Sequence, residues 1–357
     1  MARQSIETKS ENDVLAQGGL GVGFKPNLSA THDFNFLEFP ELNAPRFVLT
    51  VDTEEEFDWT KPFVREGYAT SHLKSIPRFQ SLCSDHDVIP CYLVDFPITE
   101  DAFGVDLLAG YAHSGLAEIG IQLHPWVNPP FDEDLSAFNS YACNLPEPLE
   151  RAKLSHLHAA IVDRFDIRPD AYRAGRYGAG QNTAQILTDL GIAIDTSVRS
   201  RFNYSAQGGP DYTHHPVNPY WIKGGNLLEL PLTTVFGGAM RSVGNVVFGR
   251  WFNSHAARSA LARSGMVERI ALTPEGISLP KALEGIDLAL AEGVKVINLS
   301  FHSPSLAVGH TPYVRDESQL QELYDWFAGV FAHLQASGIR PTTMAEIKHA
   351  SGICAGR

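Results

Sequence analysis

The sequence predicts an α/β fold in which repeated βα units curl into a single barrel, and three observations carry that prediction. From Arg46 onward, short β-branched or apolar runs alternate with longer segments of helical period. About eight such repeats fall within some 300 residues, more strands than a doubly wound sheet usually carries. Apolar residues make up 44% and charged residues 19%, a composition that supports a sizeable core in a globular chain.

In chain order, the apolar and β-branched runs place strands at 47–51, 90–96, 119–124, 171–174, 192–196, 227–232, 269–272 and 294–301. Helical period places helices at 147–164, 183–190, 254–263, 280–291 and, after the last strand, 317–336. Residues 1–44 are mostly polar, Gly and Asn with no sustained period and read as an arm or strap. The barrel occupies 45–350, and 351–357 form a C-terminal tail. The stretch 125–145, rich in Pro and aromatic residues, follows a strand directly, where long ordered loops carry binding and catalysis.

A formal charge of −13, with Lys and Arg scattered singly, argues against nucleic acid as a partner. The cysteines Cys83, Cys91, Cys143 and Cys354 form no CxxC pair and read as reduced thiols. The first residues lack the apolar region of a secretory signal, and no run of about 18 apolar residues occurs. A cytoplasmic location without a membrane segment is therefore expected.

Chemistry-bearing residues gather at strand ends. The string LTVDTEEEFDW crowds Asp52, Glu54, Glu55 and Glu56 at the end of the first strand, and alternation puts Asp52 and Glu54 on one side. Such crowding calls for a cation or protons to relieve it. A divalent metal held by one carboxylate with its neighbour as general base fits, and so does capping of a following helix N-terminus.

The next strand ends in His124, with Trp126 and Asn128 following; imidazole with carboxylate oxygen is an ordinary catalytic zinc shell, while a core histidine is the plainer alternative. In YRAGRYG, glycines permit close backbone approach, and Arg173 and Arg176 are candidates to orient a carboxylate or to be solvated turn residues. Asp195 and His302 end two further strands. Because Asp52, His124, Arg173, Asp195 and His302 all fall at carboxyl ends of expected strands, they share the face on which barrel active sites are built.

The order of these motifs resembles the polysaccharide deacetylase family, the NodB-homology domain of carbohydrate esterase family four, over roughly 46–347. The strings LTVDTEEEFDW, QLHPWVNPPF, YRAGRYG and SFHSPSL look like its WalW-type branch, met among bacterial surface-polysaccharide genes. The resemblance implies a distorted (β/α) barrel of about seven strands, one or two fewer than the expected count, so some of the expected strands are extra hairpin strands. It implies removal of an acetyl group from an N-acetylated sugar or polysaccharide precursor by metal-activated water. On that resemblance Asp52 is the base, Arg173 orients it, and Glu54, His124 and Asn128 hold the metal. Asp195 supports His302, the proton donor to the departing amine.

Two positions depart from the family pattern: Thr53 stands where a second aspartate is usual, and Asn128 where a second histidine is usual. The implied metal is zinc, with cobalt and nickel as alternatives. Trp59, Trp126, Arg176 and Tyr177 are the candidates to contact a carbohydrate. Hydrolysis of a small amide or cyclic ureide, and carbohydrate binding without catalysis, are the competing functions.

Overall fold

The computed structural model describes residues 34–37, 44–58, 61–222, 226–248 and 260–352. Their strands, in chain order, are β1 (Asn35–Phe36), β2 (Arg46–Thr53), β3 (Cys91–Val94), β4 (Glu118–Leu123), β5 (Ala171–Ala174), β6 (Ile194–Asp195), β7 (Tyr220–Trp221), β8 (Leu228–Glu229), β9 (Thr234–Gly237), β10 (Glu268–Ala271), β11 (Val296–His302) and β12 (Arg340–Pro341). Seven of these described strands run parallel in the order β11-β2-β3-β4-β5-β6-β8. The antiparallel strands β7 and β1 extend that row, and β12 pairs with the start of β2.

The run of seven is the (β/α) barrel expected above. Each expected strand has an observed counterpart, but the one at 269–272 lies outside the row: β10 pairs antiparallel with β9 in a separate ribbon. The ribbon's base closes the gap in the curl. Thr233 N donates to Asn298 O of β11 and Leu272 O accepts from Ser300 N of β11, while Leu232 N donates to Val198 O beyond β6.

Helices cover the outside, at Ile76–Asp85, Phe96–Glu100, Ala102–His113, Glu147–Phe165, Thr183–Asp189, Leu279–Ala291 and Glu317–Ala336. Of the helix expected at 254–263, only 260–263 lie within the described residues, and these are helical. Of the expected arm, 34–37 and 44 are described, and its β1 adds to the sheet through β7. Among the described residues no helix is long and apolar enough to cross a membrane. Cys83, Cys91 and Cys143 are free thiols; Cys354 lies outside the described residues.

Alternation with period two decides what faces the interior. On β2, Phe47, Leu49 and Val51 join the main core under the helices, as do Ile119, Ile121 and Leu123 on β4 and Ile297, Leu299 and Phe301 on β11. The alternate residues point inward. At the bottom Val48, Leu93 and Val296 form a small apolar plug with Met344 and Ile347 of the terminal helix Met344–Ala350. Above it the interior becomes polar: Thr50 donates to Asn298 Oδ1 (3.1 Å), and Asn298 Nδ2 donates to Thr196 Oγ1 (2.8 Å). At the top, the same alternation delivers Asp52, Gln122, Arg173 and His302.

Candidate active site

The cavity at the carboxyl end of the strands is lined by Asp52, Glu54, Gln122, His124, Ala174, Arg176, Tyr177 and His302. Strand register sets much of this: His302 of β11 lies directly opposite Asp52 of β2. His302 Nε2 is 3.6 Å from Asp52 Oδ2.

Arg173 holds Asp52 from below. Its guanidinium is fully buried, with Nη1 on Asp52 Oδ1, Nη2 donating to Thr50 Oγ1 (2.7 Å) and Nε donating to Thr196 O (3.0 Å). A planar fork engaged on three sides has one orientation, and so therefore has the carboxylate it holds.

The four acids of LTVDTEEEFDW are separated rather than crowded. Asp52 faces Arg173 and His302. Glu54 takes Gln122 Nε2 (3.0 Å) on Oε2, which is 3.4 Å from His124 Nε2. Glu55 turns to the far side of the same imidazole, with Oε2 at 2.9 Å from His124 Nδ1 and Oε1 accepting from Trp126 Nε1 (2.8 Å). Glu56 accepts from Ser71 Oγ and His72 N, and its other oxygen is 3.1 Å from His310 Nδ1. The capping alternative thus holds for Glu56 alone, at the start of the 3-10 turn Ser71–Ser75.

His124 is gripped on every side. Trp126 stacks on it with ring centroids 4.2 Å apart, and a Cβ on Gly175 would come within 2.4 Å of its Cδ2, so the glycine of YRAGRYG permits the imidazole its place. Glu55 on Nδ1 keeps the proton there and leaves the Nε2 lone pair facing the cavity, the usual arrangement behind a metal-bound histidine. Glu55, Asp95 and His124 also offer ligand atoms within 4.8 Å of one another, a buried group able to hold a metal ion. Asp95 there already accepts from Glu55 N and from Ile98 N, where it caps Phe96–Glu100. On the cavity side, one imidazole nitrogen and the carboxylates of Glu54 and Asp52 form a donor set that suits a divalent transition ion.

Burial pushes the Glu54 carboxyl up to about 8, despite the opposing pull of His302 and His124. It also raises Glu55, and raises Asp95 well above the usual carboxylate range, with Glu55's charge adding to the effect. Buried carboxyls raised in this way return toward ordinary values when a cation binds beside them.

The partner of His302 is Glu275, not Asp195. His302 Nδ1 is 2.6 Å from Glu275 Oε2, His302 N donates to Oε1 (3.2 Å), and Ser305 Oγ donates to the same oxygen (2.6 Å). Burial alone would lower the His302 imidazole; the charges of Glu275, Glu54 and Asp52 outweigh it and hold His302 well above the ordinary histidine value. Burial would likewise raise Glu275, but the His302 charge and hydrogen bonds bring it below its usual range. Asp195 instead accepts from Ser197 N (2.9 Å) and from Ser197 Oγ; burial drives it up to about 6, against the lowering effect of those bonds. It lies beside β8, whereas His302 is on β11 at the other end of the row.

Three more expected residues lie elsewhere. Asn128 does not line the cavity: its Nδ2 donates to Pro129 O (2.7 Å) and Lys153 O (3.0 Å), anchoring the loop to the helix outside. The same loop is pinned by the fully buried Lys153, whose Nζ donates to the carbonyls of Pro125, Asn128 and Pro130 and pairs with Glu133 at 3.1 Å. Trp126 is 1% exposed, one face against His124 and the rest against Phe57 and Phe63, so no face is left for a sugar. Trp59 lies outside the described residues.

Arg176 and Tyr177 do reach the cavity, both with left-handed backbone (φ 55° and 60°), a strain that clusters at functional sites. Arg176 donates to Gln207 Oε1 (3.1 Å) and lies over the Tyr141 ring; Tyr177 stacks on Tyr204.

The residues not anticipated are Glu275, Gln122 and Asp95. Asp95 stands next to last in the expected strand 90–96, the same signal that singled out Asp195, and Glu275 follows the expected strand 269–272 by three residues. Gln122 stands two residues before His124, on the same strand face.

No family model matches the sequence, and no curated relative matches it. Among solved structures, the allantoinase PuuE aligns at TM-score 0.48 and 12% identity over 87% of this chain and 91% of its own. The Bc1960 peptidoglycan N-acetylglucosamine deacetylase aligns at 0.45 and 11%, over 90% and 94%. BA3943 from Bacillus anthracis, described as a pseudoenzyme of the CE4 family, aligns at 0.43 and 9%, over 85% and 66%.

Proposed function

We propose that this protein is a metal-dependent hydrolase of the polysaccharide deacetylase kind, releasing acetate from an N-acetylated sugar or polysaccharide precursor. The observation that carries the reading is one pair of oppositely disposed proton carriers: Asp52 locked by Arg173, and His302 backed by Glu275, 3.6 Å apart at the mouth of one cavity. His124 through Nε2 and Glu54 would hold the metal, zinc being the ion that this mix of imidazole and carboxylate suits, with cobalt or nickel as substitutes. When bound, such an ion acidifies a water and stabilises negative charge developing on a carbonyl oxygen.

The chain's own groups do the rest. Asp52, unable to rotate away from Arg173, accepts the proton of the attacking water. His302, kept charged by Glu275, carries its proton on Nε2, the nitrogen facing the cavity, and delivers it to the departing amine. Arg176 and Tyr177 border the opening and supply polar and aromatic contacts for a sugar.

The test is hydrolysis by zinc-loaded protein of chito-oligosaccharides and nucleotide-linked N-acetyl sugars, followed by acetate release with and without chelator. Acetate appearing only with metal supports the reading. Ammonia from cyclic ureides in its place would move the function to small-amide hydrolysis, and neither product with fully loaded protein would leave carbohydrate binding alone.

A further inference from the structure

The family pattern places a second imidazole four residues after His124; here Asn128 stands there and spends its amide on the carbonyls of Pro129 and Lys153, outside the cavity lining. The strand itself supplies another donor. Gln122 precedes His124 by two residues, so both side chains leave β4 on the inner face. It is 2% exposed and lines the same cavity as Asp52, Glu54, His124 and His302. Its Nε2 donates to Glu54 Oε2 at 3.0 Å, which fixes the carboxamide, while its Oε1 is buried without a hydrogen-bond partner. Buried carbonyl oxygens are ordinarily satisfied, so an orphan on the wall of an acid-lined cavity points to a ligand that donates to or coordinates oxygen. The strand is closely packed one turn of the pleat earlier: a Cβ on Gly120 would meet Leu93 Cδ2 at 2.4 Å and Ala171 O at 2.9 Å.

We propose that the side-chain oxygen of Gln122 is a ligand of the divalent ion held by His124 and Glu54, in place of the missing second imidazole. The inference rests on the metal-dependent reading above. It makes the site richer in oxygen than one built on two histidines, and oxygen ligands favour harder ions. Zinc's advantage over manganese is thereby narrowed.

The experiment measures zinc and manganese dissociation constants by competition with a chelating dye in the wild type, Gln122→Leu and Gln122→Glu, with the cobalt absorption spectrum of each as a check on coordination. Gln122→Leu should weaken zinc by about tenfold or more and alter the cobalt bands, because a ligand is worth at least what its supporting partners are. Gln122→Glu replaces the neutral oxygen with a charged one, so manganese should tighten by about tenfold or more.

The two variants separate ligation from simple support of Glu54. Gln122→Glu lacks the amide that donates to Glu54, so a purely supporting role predicts weaker binding in both variants, and that result overturns the proposal. Wild-type affinity and spectrum in Gln122→Leu overturn it as well. Should Gln122→Leu fail to fold, unchanged or weakened manganese binding in Gln122→Glu decides against the ligand. Absence of stoichiometric metal in the wild type itself would remove the parent reading, a result distinct from failure of the ligand alone.

Discussion

Replacing Glu275 by Gln keeps the shape at His302 and removes one charge. Two unit charges 2.6 Å apart interact by about 6 kcal/mol at an effective dielectric of about 20. The glutamine oxygen still accepts from Nδ1, and Asp52 and Glu54 remain, so about half of that, roughly 3 kcal/mol, is a reasonable net loss. At about 1.4 kcal/mol per pKa unit, the His302 imidazole falls by about two units. The charged form is then depleted near neutrality, and the alkaline limb of the pH–rate profile moves to lower pH. The rate at pH 8 should drop by at most about 10², the greatest depletion of the charged form that a two-unit fall allows. Imidazole 15N shifts across a pH series report the titration directly, and kcat/KM against pH reports its consequence. The reasoning is refuted if His302 titrates within a few tenths of a unit of wild type in Glu275→Gln, or if Asp195→Asn moves it as far.

Two further expectations concern stability. Glu54, raised from 4.5 to about 8, stays protonated in the folded chain while its unfolded counterpart ionises, so its contribution falls as pH rises through that window. In chelator, Glu54→Gln should therefore gain on wild type by about 1.4 kcal/mol per pH unit between pH 5 and 8, and zinc should reverse the order; parallel urea melts showing a flat difference would refute this. Lys153→Met strips the loop after β4 of three hydrogen bonds and leaves Glu133 with Arg65, at 3.9 Å, in place of its nearer cation. A loss of about 3 kcal/mol is expected, of which Glu133→Gln recovers only the part due to the weakened ion pair, and urea melts showing less than about 1 kcal/mol would count against the pin.

Strand positions were legible because inward and outward residues alternate against an apolar background, and the parallel order followed from the βα repetition. The strand at 269–272 was legible as a strand but not as a ribbon, since pairing partners are chosen by tertiary closure. The site shows the same division. Asp52, Glu54, His124, Arg173 and His302 lie on the cavity or hold a residue that does, because strand ends converge by construction. The exchange of Asp195 for Glu275 was illegible, since both acids lie near the end of an expected strand and only the docking of the β9–β10 ribbon against β11 decides which one meets His302. Trp126 illustrates a different limit: an aromatic next to a site reads as a platform, yet its indole is consumed by stacking on His124 and by Glu55.

The ribbon of β9 and β10 carries a consequence for how such an enzyme can be retuned. Asp52, His124 and His302 are tied to one another through continuous parallel ladders, whereas Glu275 arrives on an appendage fastened to β11 by a few backbone bonds around Thr233 and Leu272. Lengthening or tilting that appendage alters the charge state of His302 while β2 and β4 keep Glu54 and His124 in place, and Glu54 feels the change only through the charge of His302. The pH dependence of the proposed activity can thus be adjusted from a segment that supplies none of the proposed metal ligands.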